Sequence, residues 1–214
     1  MIIIEGLDVA TSCGWAQINR PGALSSARCG VMLSEGENGE EKAGHLAMQM
    51  ISRYRERKPS FVALEMPQRN VVKFAKKGSD LAGATKKETI NPNALQLSAL
   101  AGAAVAILDA YRIPWGLIST ATWRSKYYGK GFTPPIKEVR NKKTGAITFE
   151  DDWKQAAINE ALAQRVFLEG TKVAQGDAAE ALAIAVCWEK CSFIPARHEK
   201  AFIALRTGDA RQAA

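Results

Sequence analysis

The chain reads as an α/β fold on a mixed sheet, an antiparallel three-stranded meander continued by parallel strands and flanked by helices. An apolar, β-branched run opens the chain and turns back at once into a second apolar run. Further short apolar runs begin at Phe61 and Trp115. The stretches between them carry helical periodicity.

Met1–Asp8 is the first strand, and its Ile2, Ile3 and Ile4 suit burial on both faces. It ends on Asp8, after which Thr11, Ser12 and Gly14 turn the chain into a second strand, Trp15–Ile18. Turn capping explains a lone strand-end Asp as well as chemistry does, so other acids must decide its role. Arg28–Ser34 completes the meander and SEGENGEE closes it. From Lys42, the residues Leu46, Met50, Ile51 and Tyr54 recur at helical spacing until RERK and Pro59. The next strand, Phe61–Leu64, is followed by Glu65. Two apolar strands thus each deliver an acid at the carboxyl end, the edge where open α/β sheets place their sites.

Gln68–Glu88 lacks periodicity and carries Arg69, Lys73, Phe74, Lys76, Lys77, Lys86 and Lys87, which reads as solvated surface or as contacts to a phosphate backbone. Ala94, Leu97, Leu100, Ala101, Ala104, Val105 and Leu108 describe an Ala-rich helix from Asn93, and Trp115–Ile118 is the strand after it. Thr120–Lys143 is strongly basic. It includes Arg124, Lys126 and Lys130, interleaved with Trp123, Tyr127, Tyr128 and Phe132, a pattern that stacks bases over a tracked backbone, with core packing the alternative for Trp123. Ile136–Phe149, with its KKTG turn, is expected to form a hairpin, part of a basic insertion near 130–150. An amphipathic helix from Glu150 to Phe167 follows.

In QGDAAEALAIAVCW, Asp177 and Glu180 share one face at the start of an apolar helix. Alone, they make an ordinary capping box, Asp177 as N-cap and Glu180 three residues on. The apolar run Ala181–Val186 demands burial, however, which sets both acids over the sheet edge. Four carboxylates, Asp8, Glu65, Asp177 and Glu180, would repel one another without a cation. Their hard oxygens suit Mg²⁺ or Mn²⁺, and two such ions about 4 Å apart form a clamp for in-line attack on a phosphodiester.

Composition agrees. A length of 214 residues is expected to fold as a single domain, 1–214, and 29 Lys and Arg against 22 Asp and Glu give a charge of +7 that favours a polyanion, nucleic acid first. No apolar stretch approaches the ~20 residues of a membrane span and no signal pattern is present, so a cytoplasmic protein without membrane contact is expected. Cys13, Cys29, Cys187 and Cys191 form no CxxC pair; Cys187 and Cys191 would share a metal only with His45 or His198 nearby. No Ser-His-Asp or Cys-His nucleophile is evident.

The order of these motifs resembles the RuvC Holliday-junction resolvases of the RNase H-like nuclease superfamily. GLDVATSCGWAQI resembles the family's opening strand, LEMPQ its second acidic strand, NPNALQLSALAGAAVAIL its central helix and DAAEALAIA its closing acidic motif, over roughly 1–125 and 155–190. Val9-Ala10 stands where Pro-Gly is common, Glu180 where Asp is usual, and Phe74 is the aromatic available where relatives carry a wedge soon after the Glu. The resemblance implies an RNase H-like fold, of a divergent and phage-like kind, with Asp8, Glu65, Asp177 and Glu180 as metal-binding catalytic carboxylates. It also implies two Mg²⁺ ions replaceable by Mn²⁺, water as nucleophile, 5′-phosphate and 3′-hydroxyl products, and a homodimer cutting four-way junctions in DNA recombination and repair. Two rival readings are a non-catalytic junction- or RNA-binding relative and a sugar-kinase or actin-like ATPase fragment. The second rests on DVATS, but that fold needs a second lobe and phosphate loop.

Overall fold

Strand β1, Ile2–Asp8, lies at the centre of a five-stranded sheet in a computed structural model that describes residues 1–67, 74–76, 87–89, 92–141 and 144–208. Strands β2, Ser12–Arg20, and β3, Arg28–Leu33, extend it antiparallel on one side. Helix α1, Gly39–Glu56, crosses to β4, Phe61–Glu65, which pairs parallel with β1. Short strands β5, Phe74–Lys76, and β6, Lys87–Thr89, pair with each other outside this sheet. Helix α2, Pro92–Ala110, leads to β7, Trp115–Ile118, parallel to β4, giving the order β3-β2-β1-β4-β7. Then come helix α3, Thr120–Tyr127, the hairpin of β8, Ile136–Arg140, and β9, Ile147–Asp151, and helices α4, Trp153–Ala163, α5, Lys172–Val186, and α6, Glu199–Thr207.

Each face of the sheet carries its own core. Leu7, Val62 and Leu64 pack with Leu46, Met50, Leu100 and Leu108 of α1 and α2. Ile4, Ala16, Ile18, Phe61 and Ala63 pack with Ala157 and Ile158 of α4 and the alanines of α5. Period-two alternation therefore sends Ile4, Gly6 and Asp8 toward α5 and Glu5 and Leu7 toward α1. Glu5 is fully buried inside a strand that otherwise reads as apolar. Arg53 donates to its Oε1 at 2.8 Å and Gln17 to its Oε2 at 3.2 Å, and Arg53 also stacks 3.5 Å over Trp15. Burial raises the Glu5 carboxyl above its ordinary range, with Arg53 pulling the other way.

Several expected boundaries move for local reasons. Helix α1 starts at Gly39, before Lys42, because Asn38 caps it by accepting from the Glu41 amide at 2.8 Å. Helix α4 is shorter than 150–167: Glu150 and Asp151 belong to β9, and Asp152 is the cap. The basic segment after Thr120 begins as helix α3, capped by Ser119. Helix α5 starts at Lys172 with Thr171 as its cap, so the expected capping box at Asp177 and Glu180 does not form, and both acids lie well inside the helix.

The chain after Cys191 closes the far edge of the sheet. Phe193 bridges Leu117, and Phe202 of α6 packs on Phe61 with ring centroids 5.3 Å apart. Asp109, near the end of α2, pins this segment by accepting from Arg197 at 2.5 Å and Trp115 Nε1 at 3.0 Å, with His198 Nε2 at 3.3 Å. The Arg197 hydrogen bond, against a small burial cost and helped by Trp115 and His198, holds the Asp109 carboxyl down at about 2, below the usual 3.8. A depressed carboxyl contributes stability above its unfolded value and loses it as pH falls through the folded one. Acid titration followed by tryptophan fluorescence is therefore expected to show a component between pH 3.8 and about 2 that is missing from Asp109→Asn. Solvent exposure of the pair keeps that component small.

Candidate active site

Asp8 ends β1 and Glu65 ends β4. Leu7 lies opposite Leu64 across this parallel pair, so the next residues, Asp8 and Glu65, sit side by side on the face that α5 covers. Helix α5 adds Asp177 and Glu180, one turn apart and only 3 % and 7 % exposed. It lies unusually close to the sheet because Gly6 and Gly14 present bare backbone. A Cβ at Gly14 would stand 2.1 Å from the Asp177 carbonyl oxygen, and one at Gly6 would stand 2.1 Å from that of Ala181.

Carboxylate oxygens of Asp8, Asp177 and Glu180 all lie within 4.8 Å of one another. Glu65 borders this group but is not part of it. Its Oε1 accepts from the Thr120 hydroxyl and, at 3.1 Å, from Trp123 Nε1, which anchors it against α3. Ser12 Oγ donates to Asp177 Oδ2 at 2.5 Å. Two cations offset part of this charge: Lys154 of α4 pairs with Asp177, and Arg124 of α3 with Glu180 at 3.2 Å.

Burial, and then the adjacent Glu65 carboxylate with smaller contributions from Glu180 and Asp177, pushes Asp8 well above the usual carboxylate range. Burial also raises Glu180, with Arg124 and Lys154 pulling against it. Burial works against the charge of Lys154, but Asp177, Glu180 and Asp8 outweigh it and raise its pKa. The cluster is thus a place of negative charge held out of water with too little compensation. Its donors are hard carboxylate oxygens, which fit a small divalent cation such as Mg²⁺ or Mn²⁺ better than a soft metal. The four thiols are free and, among the described residues, belong to no such group.

The nucleic-acid residues expected from sequence fare unevenly. Arg69, Lys73, Lys77 and Lys86 lie outside the described residues; Phe74 and Lys76 fall on β5 and Lys87 on β6. Lys126 and Lys130 are exposed. Tyr127 is half-buried against the α5-side core. Arg124 is turned to Glu180, and Trp123 is core, 1 % exposed. Lys154, Thr120 and Ser12 escaped the sequence reading. Each is an ordinary helix or strand-end residue in its own segment, and only the packing of α3, α4 and the start of β2 around α5 brings it to the acids.

No family model matches the chain, and no curated protein does. Among solved structures it is similar to T. thermophilus RuvC in complex with a Holliday junction substrate, at 18% identity and a TM-score of 0.54 over 87% of this chain and 92% of that one. It is likewise similar to a Thermus thermophilus RuvC structure at 15% identity and 0.51, over 97% of each chain. Set beside the mixed sheet and its flanking helices, these likenesses give the chain a divergent RuvC-like fold of the RNase H-like α/β class.

Proposed function

We propose that the protein is a Mg²⁺-dependent, structure-selective DNA endonuclease that resolves four-way junctions by phosphodiester hydrolysis. The observation that carries this reading is the group formed by Asp8, Asp177 and Glu180 within 4.8 Å, with Glu65 alongside, on a RuvC-like sheet. A solved neighbour is a RuvC bound to a Holliday junction, and the +7 charge of the chain suits the same class of partner. Asp8, Glu65, Asp177 and Glu180 are the residues that hold two Mg²⁺ ions, with Mn²⁺ able to substitute. When bound, divalent cations supply water activation and charge compensation at the phosphate.

The chain's own groups do the positioning. Thr120 and Trp123 fix one oxygen of Glu65, and Ser12 fixes one of Asp177, so these carboxylates keep their direction. Arg124 and Lys154 hold positive charge at the rim, where a phosphate backbone passes. The exposed Lys126 on α3 and Lys130 in the turn after it add to this charge, and the same reading assigns DNA contacts to Arg69, Lys73, Phe74, Lys76, Lys77, Lys86 and Lys87. The chain acts as one nuclease domain with the β8–β9 hairpin as an insertion, paired in a homodimer whose two sites cut opposing strands.

The direct test is cleavage of four-way, flap, splayed and linear duplex DNA in Mg²⁺ and in EDTA. Paired symmetric nicks confined to the junction and abolished by EDTA are expected. Binding without cutting in any divalent metal would instead favour the non-catalytic rival. In the metal-free protein Lys154 serves as the counter-charge of Asp177. Lys154→Met is expected to lower metal-free stability by about 1 kcal/mol, a modest cost because Lys154 is half exposed. Added Mg²⁺ should recover most of that loss in a thermal melt.

A further inference from the structure

A cleft of about 530 Å³ opens beside the acid cluster, between α3, the turn at 128–132 and the start of α4. Its walls are aromatic and cationic. Tyr128 and Phe132 stack with centroids 4.4 Å apart and 16° between planes, and Trp153 stands 5.7 Å from Tyr128. Arg124 lies 4.5 Å over the Trp153 ring, and Lys130 sits exposed on the rim. Phe132 keeps 41 % of its surface exposed.

Cleft and acid cluster share their walls. Arg124 pairs with Glu180, Thr120 donates to Glu65, and Trp153 precedes the Lys154 that pairs with Asp177. A strand whose phosphate reaches the acids therefore has its neighbouring nucleotide at the mouth of the cleft. Flat rings with cations on the rim suit a planar heterocycle on an anionic backbone.

We propose that this cleft receives one unpaired nucleobase of the DNA strand whose phosphate lies at the acid cluster, stacked on Phe132 and Trp153 with Arg124 and Lys130 against the flanking phosphates. The proposal rests on the nuclease reading and adds to it what the site recognises: an unpaired nucleotide at the branch point. A base inside a continuous duplex has both faces covered by its neighbours and cannot enter.

The experiment places 2-aminopurine either at the branch point of a four-way junction or in the middle of one arm, and follows its fluorescence in EDTA as protein is added to saturation. Stacking is expected to quench the branch-point probe several-fold and leave the arm probe unchanged. Phe132→Ala should abolish the quench and weaken binding roughly tenfold. Phe149→Ala, on the exposed β8–β9 hairpin and outside the lining of the cleft, should match the parent. Circular dichroism and thermal melts are expected to show Phe132→Ala folded, and Lys130→Ala, which leaves the rings intact, should weaken binding yet keep the quench at saturation. A branch-point signal that rises or stays level, or a full quench in Phe132→Ala, overturns the proposal. Junction cutting by the parent without quenching removes the cleft and leaves the nuclease; quenching without cutting in Mg²⁺ supports the cleft and removes the nuclease reading.

Discussion

Asp8→Asn is expected to cut four-way junctions at least about 10³-fold more slowly than the parent in Mg²⁺, roughly 4 kcal/mol of lost transition-state stabilisation, while binding the same DNA. Asp8 is the acid common to both halves of the cluster. It shares the sheet edge with Glu65 and approaches Asp177 and Glu180 from below. Asn keeps the shape and one oxygen but removes the charge that a divalent cation requires. The same substitution carries an opposite effect on stability. Burial and the neighbouring carboxylates raise the Asp8 carboxyl in the folded protein, so ionising it as pH climbs above 3.8 costs folding free energy. Removing that charge should raise the melting temperature of the metal-free protein at neutral pH. Slower cutting joined to a higher Tm in EDTA is the signature of a strained ligand site. A fall in Tm with unchanged cutting would make Asp8 a structural cap and remove the proposed chemistry.

Gly14→Ala is expected to destabilise the protein by about 3 kcal/mol or more and to abolish cutting with it. The obstacle is backbone: the new Cβ would meet the Asp177 carbonyl oxygen at 2.1 Å and its carbon at 2.6 Å. No rotamer change relieves such a contact, so α5 must lift from the sheet and carry Asp177 and Glu180 away from Asp8. Gly6→Ala raises the same conflict one turn along, against Ala181 and Ala185. Gly44 and Gly102 give the control. Both lie in exposed helix positions where a Cβ meets nothing within 4 Å, and Ala there should be neutral or stabilising by roughly 0.5–1 kcal/mol. Chemical denaturation of the four variants separates the two classes. Equal stability of Gly14→Ala and Gly102→Ala would mean that α5 is not seated on bare backbone.

Much of the frame was legible from local pattern. Apolar runs at Ile2 and Phe61, each followed by a single acid, marked two strands and their outward ends, and the strands form there. Asp177 and Glu180 are legible as a helical pair, but their place within the helix is not. Lys172–Gly176 holds a Lys, a Gln and a Gly and lacks the apolar stripe that marks a first turn, so local pattern places the helix start at Asp177. Helix α3 was hidden by its density of bases and rings, and Glu5 by the apolar residues around it.

What the sequence determined by itself was the strands of the five-stranded sheet and the β8–β9 hairpin, though not β5 and β6, together with the acids at Asp8 and Glu65 and the spacing of the helical pair, because strand alternation and helical periodicity are local and written in neighbouring residues. What only the tertiary structure decided was the company those acids keep: Lys154 on Asp177, Arg124 on Glu180, Thr120 and Trp123 on Glu65. Those contacts join residues from different elements. They depend on how closely α5 can lie on Gly6 and Gly14 and on where α3 and α4 come to rest around it, a matter of volume and approach that no one-dimensional period records.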